Sequence, residues 1–240
     1  MIEVDIIKKH GKKALGLAEH AHEARGWRAR LGEILLEIGI IVFAISLSIW
    51  LHSWQEHRHD RARERQFLLG LQRDLAEDLR EMREDSAALA WQKQGLRYFR
   101  KLTARRPNDS VRYYSATLTA TNYFTPNDTR FQGLKSSGGL GIVENEELLQ
   151  QLLNYYERTT TSLTSNGRGY AEYHRQTTGP YLDLHLRPDQ SNLLAVLREG
   201  PMQNYLARGE VIASILAQYS HAGQEARALR QRLAAALAGE

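Results

Sequence analysis

The sequence predicts an all-α protein: one N-terminal transmembrane helix continues into a long helix, and an antiparallel helical bundle domain follows. Three observations predict this class. An unbroken apolar run lies near the N-terminus, charged helix formers with apolar residues every three or four positions follow it, and alternating β-branched stretches are scarce. The predicted parts are a basic amphipathic segment on the membrane surface (1–31), the transmembrane helix (32–54) and a helical extramembrane domain (55–240).

The composition narrows the class of protein. The chain has no cysteine, which excludes disulfide scaffolds and thiolate zinc sites. Its formal net charge is only +4, from 32 basic and 28 acidic residues. So small an excess of positive charge indicates helix surfaces of mixed charge, and we expect no nucleic-acid partner. We also expect no cofactor.

Residues 2–24 are predicted to form an amphipathic helix on the membrane surface. Lys8 and Lys12 lie on its polar side, which suits an anionic inner leaflet. Its apolar side carries Ile2, Ile6, Ala14, Leu17 and Ala21. This places the N-terminus in the cytoplasm and the main domain in the periplasm or outside the cell, although basic residues at both ends of the span leave the positive-inside rule only a mild preference.

The transmembrane helix is predicted from the apolar run between Ile34 and Leu51. Its roughly 18 residues would span about 27 Å, close to the thickness of the hydrocarbon core of a bilayer. Glu37 lies one turn inside the run, and its penalty of roughly 3 kcal/mol at most is outweighed by apolar residues worth on the order of 5 kcal/mol. Tryptophans flank the run as they do at headgroup level: Trp27, Trp50 and Trp54.

A cleaved signal peptide is the competing interpretation of the same run. The charged lead of some thirty residues and the lack of a small-x-small cleavage site favour a retained anchor. We therefore expect a single-pass membrane protein.

Two faces of the predicted span carry small or polar residues. Gly32, Gly39, Ser46 and Ser53 recur every seven residues, and Glu37, Ala44 and Ser48 lie nearly opposite. Two faces on one helix favour head-to-tail packing in a homo-oligomer, with Glu37 at or near subunit contacts. The alternative is a lone helix whose serines bond to their own backbone carbonyls while Glu37 reaches to the membrane surface.

A polar group follows the span directly. Helical spacing places His52, Glu56 and His59 on one side, where a metal ion or a proton would find ligands. The alternative is a solvated juxtamembrane turn beside phospholipid headgroups. The second interpretation is favoured, so no metal site is expected.

The extramembrane domain is predicted to begin with one long helix over 58–94. Its apolar stripe consists of Leu68, Leu71, Leu75, Leu79, Met82 and Leu89, while Arg73, Glu77, Arg80, Glu81 and Arg83 face water. The stripe would pack either within an intramolecular bundle or in a coiled coil between subunits. Asp78 interrupts strict heptads, which favours the bundle.

Two turns and four further helices are predicted after the long helix. The turns 106–110 and 125–129 each offer a side-chain oxygen to the free amides of a starting helix. The helices are expected over 144–157, 163–178, 190–198 and 202–237.

Ordered motifs carry a resemblance to a known family. They are EIGIIV at 37–42, WQEHR at 54–58, LLGLQRDL at 68–75, FTPND at 124–128, LKSSG at 134–138 and NYYE at 154–157. The chain thereby resembles a bacterial family of single-pass membrane proteins catalogued as a domain of unknown function. The resemblance covers residues 33–160 and implies an anchor with a helical domain. Its motif residues Pro126, Asn127, Asp128, Ser136, Ser137 and Gly138 are interpreted as a structural cap and turn.

Signatures of catalysis are missing from the sequence. The glycines of 138–141 lack dinucleotide-fingerprint spacing and indicate a helix break, and P-loop, nucleophile-elbow and zinc-protease motifs are absent. We therefore predict no catalytic residues and no enzyme. The favoured function is a homo-oligomeric envelope scaffold or assembly protein that binds another envelope protein, and the alternatives are a sensor or regulatory subunit and an oligomeric pore using Glu37.

Overall fold

A computed structural model describes residues 27–102 and 109–238, apart from the side chains of 27–31, 56 and 109. These residues contain helices and no strand, so the predicted all-α class is confirmed. The predicted surface helix 2–24 lies outside the described residues, as do 106–108 of the first predicted turn. The chain divides into two compact units, Met1–His59 and Asp60–Glu240.

The described helices follow in chain order and are numbered here α1 to α8. Three 3-10 turns lie at Ser115–Leu118, Gly139–Ile142 and Gly209–Val211, and a π-helix covers Asn154–Thr159. The α-helices are α1 (Trp27–Arg100), α2 (Asp109–Tyr114), α3 (Thr129–Ser136), α4 (Glu146–Leu153), α5 (Thr160–His185), α6 (Leu193–Leu197), α7 (Gly200–Arg208) and α8 (Ile212–Ala238).

One helix within the described residues is long and apolar enough to cross a membrane. It contains an 18-residue window with a mean hydropathy of 2.5, none of which is buried. Large apolar side chains from Ile34 to Leu51 are 42–68% exposed. A core helix of a soluble protein would bury such a run, so this stretch differs from the rest of the chain.

The second unit is built around the apolar stripe of α1. Every member of the predicted stripe, from Leu68 to Leu89, is at most 7% exposed within a single chain. The stripe packs with residues of the later helices, among them Phe131, Leu152 and Ile212. The coiled-coil alternative is therefore not needed to cover it.

The helix predicted over 144–157 and the one over 163–178 form a continuous helical run. Threonines, which have low helix propensity, lie between the two predicted helices. Thr160 and Thr161 donate their hydroxyls to the carbonyl of Tyr156. Thr160 and Leu163 are also buried, at 1% exposure each. Packing therefore outweighs propensity at this junction.

The last predicted helix, 202–237, is divided into α7 and α8 by the turn Gly209–Val211. Gly209 is buried against Leu96, where an added Cβ would lie 2.5 Å from the Leu96 Cδ1 atom. Glu210 then pairs with Arg97 on α1, with 2.7 Å between its Oε2 and the Arg97 Nη2. The interruption of the helix at Gly209 is consistent with the close approach of this residue to Leu96. The helix predicted over 190–198 is also shorter, since α6 covers Leu193–Leu197.

Polar contacts between α1 and the C-terminal helices follow a consistent order. Arg65 donates to the carbonyl of Leu237 at 3.2 Å, Tyr219 donates to Asp85 at 3.1 Å, and Arg97 pairs with Glu210. Residue numbers therefore rise along α1 while those of its partners fall. The same opposite order holds between α8 and the helices α4 and α5, where Arg232 contacts Glu147 and Gln218 contacts Asn166.

Candidate functional site

Four carboxylates form a ladder along one side of α1. They are Asp74, Asp78, Glu81 and Asp85, spaced by four, three and four residues, and this spacing places them on one face of a helix. The ladder faces residues 122–130, which we call the strap. The strap is irregular up to Asp128 and then enters α3.

The central rung of the ladder is Asp78. Its Oδ1 accepts hydrogen bonds from the backbone and side-chain nitrogens of Asn127, each at 2.9 Å. Its Oδ2 accepts a longer bond, of 3.4 Å, from the hydroxyl of Tyr155. Since Asp78 is fully buried, these three donors replace the water that the carboxylate loses on folding.

The other rungs attach the strap on either side of Asn127. The backbone nitrogen of Thr125 donates to Glu81 at 3.2 Å, and Arg130 donates to Asp74 at 2.9 Å. Asp85 receives a bond from the side chain of Asn122 and another from Tyr219. The strap is thus held at four points, and it runs opposite in direction to α1.

Burial raises the pKa of two carboxylates of the ladder. Desolvation raises the pKa of Asp78 from 3.8 to about 6, although the bonds from Asn127 and Tyr155 act in the opposite direction. Burial also raises the pKa of Asp85, against the effect of its bonds from Tyr219 and Asn122. The charge of Asp78 therefore changes near pH 6.

An aromatic layer lies beside the strap. Phe131 stacks on Tyr156 with ring centroids 4.6 Å apart, and Tyr155 meets Tyr156 edge to face. Both tyrosines are buried, and burial raises the pKa of each phenol above its usual value. The two neutral phenols belong to the π-helix, whose wider turn accommodates two successive buried side chains.

The residues interpreted as a cap lie at the start of α3 and make other bonds there. Asp128 occupies the N-cap position of α3, but its side chain makes no capping bond to the first-turn amides among the described residues. Its backbone is in the helical region instead of the extended conformation that aims a cap, and its carboxylate accepts from Gln132. Asn127 bonds to Asp78, and Pro126 precedes it in the strap.

The second half of that motif forms a helix end and a turn. The hydroxyls of Ser136 and Ser137 donate to the carbonyls of Gly133 and Leu134 at 3.1 and 2.9 Å. Ser137 is the C-cap residue of α3, and Gly138 follows with a φ of 72°. A left-handed residue at this position is the usual way for a helix to end, and glycine adopts it without strain.

A groove of about 760 Å³ opens between the strap and α5. Thr125, Pro126 and Asp128 form the strap wall, and the α5 wall carries Thr160, Thr161, Thr164, Ser165, Arg168, Gly169 and Glu172. Thr164 donates to the carbonyl of Phe124 at 3.2 Å, which ties the two walls together. The Arg168 guanidinium lies 5.5 Å from the centre of the Tyr123 ring.

The charges along the groove are unevenly paired. Glu172 contacts Arg175 and Gln176 outside the groove, and Asp128 holds Gln132. In the described parts of the chain, Arg168 has the Tyr123 ring as its partner and no carboxylate. Its guanidinium is therefore free to bind an acidic group, with the hydroxyl of Ser165 one turn away.

The predicted polar group after the span is described only in part. Within residues 27–102 and 109–238, no group of three or more His, Asp or Glu side chains is arranged to hold a metal ion. His52 and His59 are exposed, and the side chain of Glu56 lies outside the described residues.

The proposed contact residues of the span all lie on α1. Ser53 is half-buried, and exposed positions are taken by Gly32, Glu37, Gly39, Ala44, Ser46 and Ser48. Their role at subunit contacts stays a prediction.

The ladder was missed at the level of sequence. Asp78 was interpreted as an interruption of the heptads and Glu81 as a solvent-facing charge, whereas Asp78 is buried and Glu81 is half-buried under the strap. The signal in the sequence that points to the ladder is the spacing of four acidic residues on one helix face. The strap, which contains Asn122 and Asn127, supplies amide donors to them.

Comparisons with protein-family models, curated proteins and solved structures find no match for this chain. The family resemblance drawn from the ordered motifs therefore stays a prediction.

Proposed function

We propose that this protein is a membrane-anchored helical scaffold of the bacterial cell envelope. It crosses the inner membrane once, and its domain holds a segment of another envelope protein in the groove beside the strap. The observation that carries the proposal is the groove itself, an open channel whose strap wall is attached at four points and whose other wall is a long helix. A preformed site of this kind binds a flexible segment without the cost of ordering its own walls.

The shape of the groove suits an extended peptide. From Thr160 to Glu172 the α5 wall rises about 18 Å at 1.5 Å per residue, which matches about five residues of extended chain. Arg168 lies within that length and is available to a carboxylate of the segment. The occupant is therefore an extended segment with an acidic side chain.

The anchor explains the exposed apolar run. Lipid covers the side chains from Ile34 to Leu51, and the exposed rings of Trp50 and Trp54 lie at one membrane surface, where Trp54 also meets Arg58 at 5.0 Å. The N-terminus is cytoplasmic and the domain periplasmic or extracellular. Within the domain, the opposite order of contacts along α1 and α8 supports an antiparallel bundle.

The anchors associate with one another in this proposal. The stripe of Gly32, Gly39, Ser46 and Ser53 lets the helices of two copies approach closely, and the face with Glu37 meets the next copy. Such an arrangement shields the Glu37 carboxyl from lipid and gives the scaffold more than one groove.

Site-specific photo-crosslinking in cells tests the groove. A photoreactive residue at Ser165 should form one discrete adduct, identified by mass spectrometry, and Arg168→Glu should abolish it. Ser214 is also exposed but lies on α8 outside the groove, so the same residue there is the matched control. Equal adducts at both positions, or an adduct at Ser165 that survives Arg168→Glu, would refute the groove as the docking site.

A sensor or regulatory subunit is the second candidate. The observation in its favour is Asp78, whose pKa of about 6 makes the middle attachment of the strap sensitive to the pH of the envelope. If the crosslinking yield at Ser165 is the same between about pH 5 and pH 8, the result counts against this candidate.

A further inference from the structure

A second pocket lies on the other side of the helical run from the groove. It has a volume of about 370 Å³ and is lined by the π-helix, the start of α5 and α8. The polar and charged side chains of its lining include Asn154, Arg158, Ser162, His221 and Glu225. Its volume is within the range of pockets that bind small molecules.

Glu225 offers one oxygen without a partner. Its Oε1 lies 3.4 Å from both the Asn154 Nδ2 and the His221 Nε2. Its Oε2 is buried and has no hydrogen-bond partner in the part of the chain that the structure describes. Buried carboxylate oxygens nearly always meet a donor, so the Glu225 carboxylate is incompletely bonded in this position. Because Oε2 has no exposed surface, it reaches a donor in the pocket when the Glu225 side chain, which is 26% exposed, turns toward the pocket.

Arg158 offers the complementary group. Its guanidinium is exposed and, among the residues described, has neither an ion pair nor a hydrogen bond. Five N–H donors in a planar fork suit a carboxylate, and the hydroxyl of Ser162 stands one helical turn further along the same wall. The pocket thus presents one positive and one negative group, and their charges cancel.

A smaller pocket of about 150 Å³ adjoins the first one. The two pockets share Asn154 and Glu225, and the smaller one adds the apolar surfaces of Tyr155, Ala228 and Leu229. Arg232, also in its wall, is already paired with Glu147. The added space is suited to an apolar side chain and not to a charged one.

The backbone at this site is unusual. Asn154 and Arg158 both belong to the π-helix Asn154–Thr159, which inserts one extra residue into the helical run. Such insertions weaken helix geometry and occur frequently at functional sites. This one brings Asn154 to Glu225 and leaves Arg158 without an ion-pair partner in the described chain.

We propose that this pocket binds a small zwitterion, an aliphatic L-α-amino acid of the leucine type. Arg158 and Ser162 bind the carboxylate. The Glu225 carboxylate, with its side chain turned toward the pocket, accepts from the ammonium group, and the aliphatic side chain enters the space beside Tyr155. The inference does not depend on the docking role of the groove, because the two sites are lined by different residues.

Calorimetric titration of the full-length protein in detergent with L-leucine tests the proposal, with thermal unfolding as a second readout. L-leucine should bind and raise the melting temperature. The analogue without the amino group, 4-methylpentanoate, and the analogue without the carboxylate, 3-methylbutylamine, should each bind at least about tenfold more weakly, because each leaves one charged group of the pocket unpaired.

Two substitutions and two controls complete the test. Arg158→Gln and Glu225→Gln should each weaken L-leucine binding at least about tenfold. Arg227→Gln and Glu146→Gln, which change the same residue types outside the pocket, should leave it unchanged. Far-UV circular dichroism checks that each variant is folded.

Three results would overturn the proposal. One is the absence of any heat or melting shift with L-leucine at millimolar concentration. Another is L-leucine affinity that survives both pocket substitutions. The third is preferential binding of L-glutamate or L-lysine, which would contradict an apolar subsite. None of these results bears on the photo-crosslinking at Ser165, so the two proposals fail separately.

Discussion

Asn127 donates hydrogen bonds from both its backbone and its side-chain nitrogen to a single oxygen of Asp78, each at 2.9 Å. The pair joins the strap to α1 at a fully buried carboxylate. Because the other oxygen accepts from Tyr155, one side chain connects α1, the strap and the π-helix. Substitutions at Asp78 therefore report on the integrity of the whole site.

Asp78→Ala should destabilise the domain by about 2 to 4 kcal/mol, because it leaves the Asn127 nitrogens and the Tyr155 hydroxyl without an acceptor in a buried site. Asp78→Asn should cost less than about 1.5 kcal/mol at pH 7. Its amide oxygen replaces Oδ1 as acceptor for Asn127, so only the Tyr155 hydroxyl proton loses its acceptor, while the amide nitrogen donates to the Tyr155 oxygen. Chemical denaturation in detergent, followed by circular dichroism, measures both. Equal loss of stability in the two variants would contradict this account of the bonding.

The pH dependence of stability should carry the signature of Asp78. Its folded-state pKa of about 6 exceeds its ordinary value of 3.8, so between these pH values the folded chain keeps a proton that the unfolded chain releases. The free energy of unfolding should therefore fall as pH rises through this window, by on the order of 3 kcal/mol from this group.

Asp78→Asn isolates that contribution, since Glu157 and Glu210 have lowered pKa values and act in the opposite direction. The difference in unfolding free energy between wild type and Asp78→Asn should change steadily from about pH 4 to pH 7 and be flat above that. A difference that is constant over the whole range would show that Asp78 does not titrate in this window.

Two buried glycines of α1 should respond unequally to alanine. A Cβ on Gly95 would lie 2.6 Å from the Cβ of Thr117, which is buried and held by a bond from its hydroxyl to Tyr114. A Cβ on Gly70 would meet the Arg130 side chain, 2.7 Å from its Cδ, and that half-exposed chain can swing away.

Gly95→Ala should therefore cost about 2 to 3 kcal/mol through overpacking. Gly70→Ala should change stability by less than about 1 kcal/mol, since loss of the Arg130–Asp74 pair is offset by the higher helix propensity of alanine. Denaturant midpoints measured side by side decide the order. The reverse ranking would mean that the contact between Thr117 and α1 is not tightly packed.

The sequence predicted the parts of this fold that depend on periodicity. Leu68, Leu71 and Leu75 could be assigned to the core because a helical repeat places them on one face, and nothing else competes with that pattern. Asp78 could not be assigned to the core in this way, because an acid in an apolar stripe is buried only when specific donors reach it. Those donors come from Asn127 and Tyr155, 49 and 77 residues away in sequence.

The candidate site depends on long-range packing in the same way. The strap was recognisable as the FTPND turn, and its helix was expected to start nearby, at the position now occupied by α3. The attachment of the strap to four carboxylates of α1 was not recognisable. An Asx turn predicts a bond to nearby backbone amides and not a bond to a distant helix. Arg158 and Glu225 likewise line one pocket only because α8 packs beside the π-helix.

The proposed membrane anchor makes a direct prediction about partitioning. The full chain should sediment with membranes and stay there after alkaline carbonate extraction, because the exposed run from Ile34 to Leu51 favours lipid over water. Phe43→Arg with Ile41→Arg, at the centre of the run, adds roughly 6 kcal/mol of insertion cost and should release the chain into the soluble fraction. Phe67→Tyr, within the domain, is a control that should sediment like wild type. Wild-type protein that is soluble without detergent would refute the anchor.

The small-residue stripe of the proposed span makes the last prediction, which concerns the proposed oligomer. Gly39→Leu adds a bulky side chain at the centre of the stripe and should lower the mass in mild detergent from an oligomer to a monomer, because the helices of two copies can no longer approach closely. Ile40→Leu changes a neighbouring residue with little change in volume and should leave the mass unchanged. The domain should keep its denaturation midpoint in both variants, since Gly39 lies outside the unit Asp60–Glu240. A wild-type chain that is already monomeric, both in mild detergent and after crosslinking in native membranes, would eliminate the head-to-tail arrangement and with it the need to shelter Glu37 between subunits.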